Sequence, residues 1–172
     1  MASLKLEIAQ SLPFSNLEEE ALLNLVRTSD SLYRAVERKT RVCGLTSTQY
    51  NALRILRGAE PHGLTCAAIG ARMIAEEPDI TRLLARLKRL KLARQHRDHN
   101  DRRLIWTQIT DAGLKRLHAI DPAISLIPSA LLGHMSRPDL TELIRLLELA
   151  RHPCSAEQSS TEPVSGRPRQ SG

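Results

Sequence analysis

The segment PDITRLLARLKRL, residues 78–90, leaves few folds open. Ile80, Leu83, Leu84 and Leu87 recur at i, i+3, i+4 and i+7, which stacks four apolar side chains on one face of a helix. Asp79, Arg82, Arg86 and Arg89 share the opposite face, with Thr81, Ala85 and Lys88 beside them. The period then changes. ARQHR and RLIWTQI are β-like runs separated by DHND, whose composition suits a hairpin turn. In the second run Ile105, Thr107 and Ile109 alternate with Leu104, Trp106 and Gln108.

A second helix precedes this one. Thr65 caps CAAIGARMI, whose Ala67, Ala68, Gly70 and Ala71 permit close helix approach, and Pro78 suits the first position of the next helix because its missing N–H removes nothing there. Two short helices across a tight turn, the second apolar behind and basic in front, form a helix-turn-helix that offers its second helix to a DNA major groove. With the hairpin added, the expected fold is mainly α with a small β-hairpin wing. An arginine at such a tip can enter the narrow, negative minor groove.

The flanking segments read as helices. Asn16 and Glu19 make a capping box for a helix over 17–42, with Leu22, Leu25, Val26, Leu32, Tyr33 and Val36 along a narrow stripe and Gly44 as a left-handed stop. At 1.5 Å per residue it is roughly 39 Å long, more than a small core requires, which points to a partner subunit. Thr46 and Gln49 box a helix through Arg57, with Tyr50, Leu53 and Leu56 inward and Ala52 and Ile55 alongside; AEPHG is a loop. Thr110–Asp111 opens another helix, to be broken or kinked near Pro122 and Pro128. Ser136 and Asp139 open a last helix through about Arg151, carrying Leu140, Leu143, Ile144 and Leu147. Residues 1–14 read as a loose arm and 152–172 as a disordered Pro/Ser-rich tail.

Composition narrows the class. Apolar residues are 41% but aromatics 2%, favouring leucine-packed helices over a β-sandwich. No apolar run approaches the ~18 residues of a membrane span, and the N-terminus lacks the apolar core of a signal peptide, so the expectation is a cytoplasmic protein with no membrane partner. Cys43, Cys66 and Cys154 are widely spaced with no C-x-x-C pair, against a disulfide framework, while a redox-sensing thiol stays open. His96 and His99 lack an evident partner set, so no metal is expected. Neither a glycine-rich phosphate loop nor a nucleophile with a recognisable base occurs; no enzyme and no cofactor is expected. Of the net charge of +6, the stretch 72–103 holds ten Lys/Arg against five Asp/Glu. That clustering fits a nucleic-acid surface, or alternatively the solvated face of a winged helix used for protein contact without specific DNA binding.

The order LTSTQYNALRIL, IGARMI, PDITRLLARL, DRR and T-D-A-G resembles the MarR family of bacterial transcription regulators, over about residues 17–151. The resemblance implies a winged helix-turn-helix domain over 15–151, with a DNA-binding lobe at about 46–110 and dimerisation helices at about 17–43 and 111–151. It further implies a homodimeric, sequence-specific repressor on a palindromic double-stranded operator. Carried over by position, Pro78, Asp79, Thr81 and Arg82 lie at the groove-facing start of the recognition helix, with Arg82 as the candidate for a base edge or phosphate. Thr65 and Cys66 lie near the DNA backbone. Asp101 resembles the aspartate that braces the wing through an arginine, Arg86 or Arg103; that pair either serves DNA contact or only shapes the wing. Arg102 is the minor-groove candidate, with Arg97 and His99 near phosphates. A small-molecule effector pocket is implied between the lobes, with Tyr33, Val36, Tyr50 and Arg54 as candidate liners.

Three features depart from the family. Lys91 stands where a glycine often follows the recognition helix, so the turn is made without a residue that readily takes positive φ. Glu76 and Glu77 precede Pro78, where they either pair with arginines or weaken DNA binding. Trp106 occupies a usually polar strand face, packed on a loop or on a partner.

Overall fold

The computed structural model describes residues 3–159, of which 153–159 as backbone alone. Two compact units meet between Pro128 and Ser129.

In the first unit, α1 (Leu4–Glu7) is a single turn with Leu4 buried, so the expected loose arm carries an anchored turn. Next comes α2 (Leu17–Val42), with the expected bounds. Its capping box is split: Asn16 accepts from the Glu19 N–H, while the Glu19 carboxylate accepts from Ser15 N–H rather than from Asn16. Gly44 takes φ +76, the left-handed stop. In α3 (Ser47–Arg57) both halves of the Thr46/Gln49 box form. Ala52, Leu53 and Leu56 are fully buried, whereas Tyr50 is half-buried.

A two-residue strand, β1 (Leu64–Thr65), leads into α4 (Cys66–Gly70). This helix is shorter than expected, and a Cβ on Gly70 would meet open space. Close packing here comes from Ile69 and Ala68 against the core. The recognition helix α5 (Ile80–Arg89) buries Leu83, Leu84 and Leu87. Its start corrects the expectation for Pro78, which sits in the preceding turn. Asp79 is the cap, accepting from Arg82 N–H at 2.8 Å. A carboxylate that satisfies an orphan N–H at the positive end of the helix outweighs the ring's mild preference for the first turn.

The turn after α5 is a Schellman closure: Leu92 N–H donates to Leu87 O and Lys91 N–H to Lys88 O. Lys91 supplies the left-handed residue itself, at φ +60. Then β2 (Ala93–Arg97) and β3 (Ile105–Ile109) form the hairpin, and the sheet is antiparallel in the order β1-β3-β2. Thr65 and His96 both oppose Trp106, while Leu64 and Gln95 oppose Thr107. Thr107 and Ile109 point into the core.

Thr110 caps α6 (Asp111–Ser125) and also donates to Lys91 O at 2.7 Å. A Cβ on Gly113 would collide with the Leu92 carbonyl oxygen and lie 2.7 Å from Ile109 Cγ1. The T-x-x-G pattern thus marks where α6 presses on the turn after the recognition helix. Pro122 lies inside α6, and the break falls at Leu126, before α7 (Ile127–Leu132).

In the second unit Ser136 and Asp139 exchange hydrogen bonds at the start of α8 (Arg137–Ser159). The helix runs eight residues past Arg151, into the part expected to be disordered. Ala156, Glu157 and Gln158 favour helix, and the average composition of the tail hid them. The rest of that tail, 160–172, lies outside the described residues. No helix among the described residues is long and apolar enough to cross a membrane.

Candidate nucleic-acid interface

Burial of one leucine stripe dictates what α5 presents. With Leu83, Leu84 and Leu87 turned inward, Thr81, Arg82, Ala85, Arg86, Lys88 and Arg89 are all exposed. The guanidinium groups of Arg82 and Arg86 have no hydrogen-bond or ion-pair partner among the described residues. Glu76 and Glu77 pair with no arginine there either. Cationic side chains left without partners on a rigid helix are available for phosphates and base edges.

The other candidates on this side already have structural work. Thr65 accepts from Ala68 N–H and caps α4, and Asp79 caps α5. Cys66, half-buried, lies with its Sγ 3.7 Å from Thr81 Oγ. That contact ties the first residue of α4 to the first turn of the recognition helix. Pro78 is exposed in the turn between them.

In the wing, residues 99–103 are all exposed, and the guanidinium groups of Arg102 and Arg103 pair with nothing among the described residues. Arg97 folds back, donating to the Arg102 carbonyl at 3.2 Å. The brace differs from expectation. Asp101 accepts from the Arg103 backbone N–H at 2.9 Å, and no ion pair joins it to Arg86 or Arg103 among the described residues. The hub is Asp98. One carboxylate oxygen accepts from Asn100 and Asp101 N–H at 2.8 and 3.0 Å, and the other from Trp106 Nε1 at 2.9 Å. The Asp101 and Asn100 N–H groups, then the indole, hold the Asp98 carboxyl below its ordinary value. A sequence signal for this existed: an Asp opening the turn-rich DHND segment suits an Asx-type turn, in which its carboxylate accepts backbone N–H groups a few residues on.

The suggested effector liners do not converge on one cavity. Tyr50 donates to Asp121 at 2.8 Å, Arg57 pairs with the same carboxylate at 2.5 Å, and Arg54 lies 5.8 Å from the Tyr50 ring centroid. Burial pushes the Asp121 carboxyl up, but the Arg57 and Tyr50 hydrogen bonds bring it below its ordinary value. Tyr33 lies elsewhere. It lines an open depression of about 490 Å³ on α2 with Leu25, Val26, Ser29 and Asp30, and its hydroxyl meets Ser47 Oγ at 3.4 Å. Val36 is half-buried nearby on α2. The Glu37 carboxylate, unforeseen from sequence, accepts from both Ser47 N–H and its hydroxyl, joining α2 to the start of α3.

No family model matches the chain. Whole-chain comparisons do find relatives. A MarR transcription factor from Planctomyces limnophilus is 38% identical, with a TM-score of 0.61 over 80% of this chain and 99% of that one. An HTH-type transcriptional regulator of Bacillus subtilis, YkoM, is 26% identical over 143 residues, 81% of this chain and 92% of its own. A 19% identical structure of Bordetella bronchiseptica BpsR, described with regulation of its DNA binding by 6-hydroxynicotinic acid, shares the fold at a TM-score of 0.68, over 77% of this chain and 98% of its own. With a winged-helix fold and a 38% identical relative that covers 80% of its length, the chain belongs to the MarR family of DNA-binding transcription regulators.

Proposed function

We propose that two copies of this chain occupy one palindromic operator as a sequence-specific repressor. The observation that carries this is the set of guanidinium groups without a partner among the described residues: Arg82 and Arg86 on α5, Arg102 and Arg103 on the wing. In this reading the lobe at 46–110 reads DNA, with Arg82 in the major groove, Arg102 in the minor groove, and Thr65, Cys66, Arg97 and His99 near phosphates.

The helices at 17–43 and 111–151 are proposed as the dimer contact. Supporting this, Leu22, Val26 and Tyr33 on α2 are 60%, 58% and 49% exposed, and Ile144 and Leu149 on α8 are 57% and 62% exposed. An isolated chain has no reason to leave so much apolar surface in water. A small-molecule effector, as for BpsR, would release DNA by favouring a spacing of the two lobes that cannot bind it.

The test is capture of genomic DNA with wild type and Arg82→Ala, followed by salt titration of the recovered segment. Wild type should enrich a palindrome that Arg82→Ala loses, and log affinity should fall with log salt by about 0.9 per phosphate contact. A purified protein that ignores DNA even at low salt returns the chain to the protein-contact reading.

A further inference from the structure

We propose that Trp106 and Asp98 are the positioning pair of the wing, a brace that takes no guanidinium from Arg82, Arg86, Arg102 or Arg103, which pair with nothing among the described residues. The inference rests on the reading that the wing enters the operator, and adds what holds it there. Residues 99–103 have no buried anchor. Their order comes from polar contacts: Asp98 N–H to Leu104 O at 3.0 Å, Arg97 to the Arg102 carbonyl, and the two N–H groups received by the Asp98 carboxylate. The orientation of that carboxylate is set from the return strand by the indole N–H of Trp106.

Trp106 suits this task. It sits where β3 is paired on both edges, with Thr65 on one side and His96 on the other, so the donor hangs from a strand position held on both sides. Its ring is half-buried and rigid, and a donor to a carboxylate makes one of the stronger hydrogen bonds. An arginine brace would neutralise one guanidinium of the interface. The indole, being uncharged, subtracts nothing, which accounts for Arg86 and Arg103 pairing with nothing among the described residues while the tip is nevertheless hydrogen-bonded in place. The odd placement of tryptophan on a normally polar strand face thereby acquires a cause.

The experiment uses Trp106→Phe, which keeps the ring and deletes the donor, with Asp98→Asn as second variant. Operator affinity is measured in the wild-type and Arg102→Ala backgrounds, and amide exchange at Asn100 and Asp101 is followed in the free protein. Losing one hydrogen bond to a charged group should weaken binding about three- to tenfold in the wild-type background. In the Arg102→Ala background the loss should be under about twofold, because the brace acts through the tip it positions. Exchange at Asn100 and Asp101 should quicken with Tm unchanged. Equal losses in both backgrounds, unchanged affinity, or unchanged exchange each overturn the proposal. A wild type that binds no DNA overturns the operator reading instead, and is recognised before any variant is compared.

Discussion

In α5, Leu83, Leu84 and Leu87 are buried and a cap closes the first turn; in the wing tip, residues 99–103 are all exposed and one carboxylate gathers the chain. Apolar burial is non-directional, tolerates small shifts and is shared among many neighbours. Hydrogen bonds to a single hub are directional and are lost together. The two elements proposed to face DNA should therefore fail differently, the helix with the fold and the wing on its own.

The largest expected effect tests the first half of that contrast. Leu87→Ala should destabilise the protein by about 2–5 kcal/mol, from lost transfer energy plus a cavity, with DNA binding and thermal stability falling together. Retained stability with lost DNA binding would break the comparison. Next, Gly113→Ala pushes a methyl group into the Leu92 carbonyl, at the joint between helix turn and wing. A loss of about 1–3 kcal/mol is expected by denaturant unfolding. Asp79→Ala removes the cap of α5 and should lower stability by about 1 kcal/mol. Because the substitution also removes a negative charge from the proposed DNA face, DNA affinity of the remaining folded protein should fall less than stability does.

Two smaller effects sharpen it. Lys91→Gly relieves a left-handed lysine against a gain in unfolded-state freedom, for a net stabilisation up to about 1 kcal/mol; a drop in Tm would show that φ +60 is unstrained. The wing should also yield to acid by itself. The Asp98 carboxyl is lowered from its ordinary 3.8 by hydrogen bonds to the folded tip. Its contribution is therefore present above the ordinary value and lost as pH falls through the lowered one. The single tryptophan should report this as a fluorescence change that Asp98→Asn abolishes. An identical titration in that variant would remove Asp98 from the role.

What was legible in the sequence follows the same division. Helices with periodic stripes and local caps were readable because the signal lies within a few residues: Thr46, Thr65 and Thr110 each cap as their spacing suggests. The recognition helix was readable by its period, though its start was not, because Asp79 and Pro78 offer competing signals one residue apart. β1 left no trace, since two residues carry no period. The Trp106–Asp98 bond spans eight residues across a hairpin and depends on a register that only the folded sheet fixes. The expectation of an arginine partner for Asp101 came from resemblance, and this chain solves the same mechanical problem with different atoms.

Thr65 stands at the end of β1, opposite Trp106, and at the same time caps α4. In the proposed binding mode, a load applied at the wing tip would reach the seat of α4 through β3, because Thr65 pairs with Trp106 and caps that helix. The wing is in that sense a lever whose fulcrum is a single threonine. In that binding mode, a duplex whose minor groove is too wide or too narrow for the tip would tilt α4 and α5 against the neighbouring major groove, so that groove width and base sequence would be weighed together.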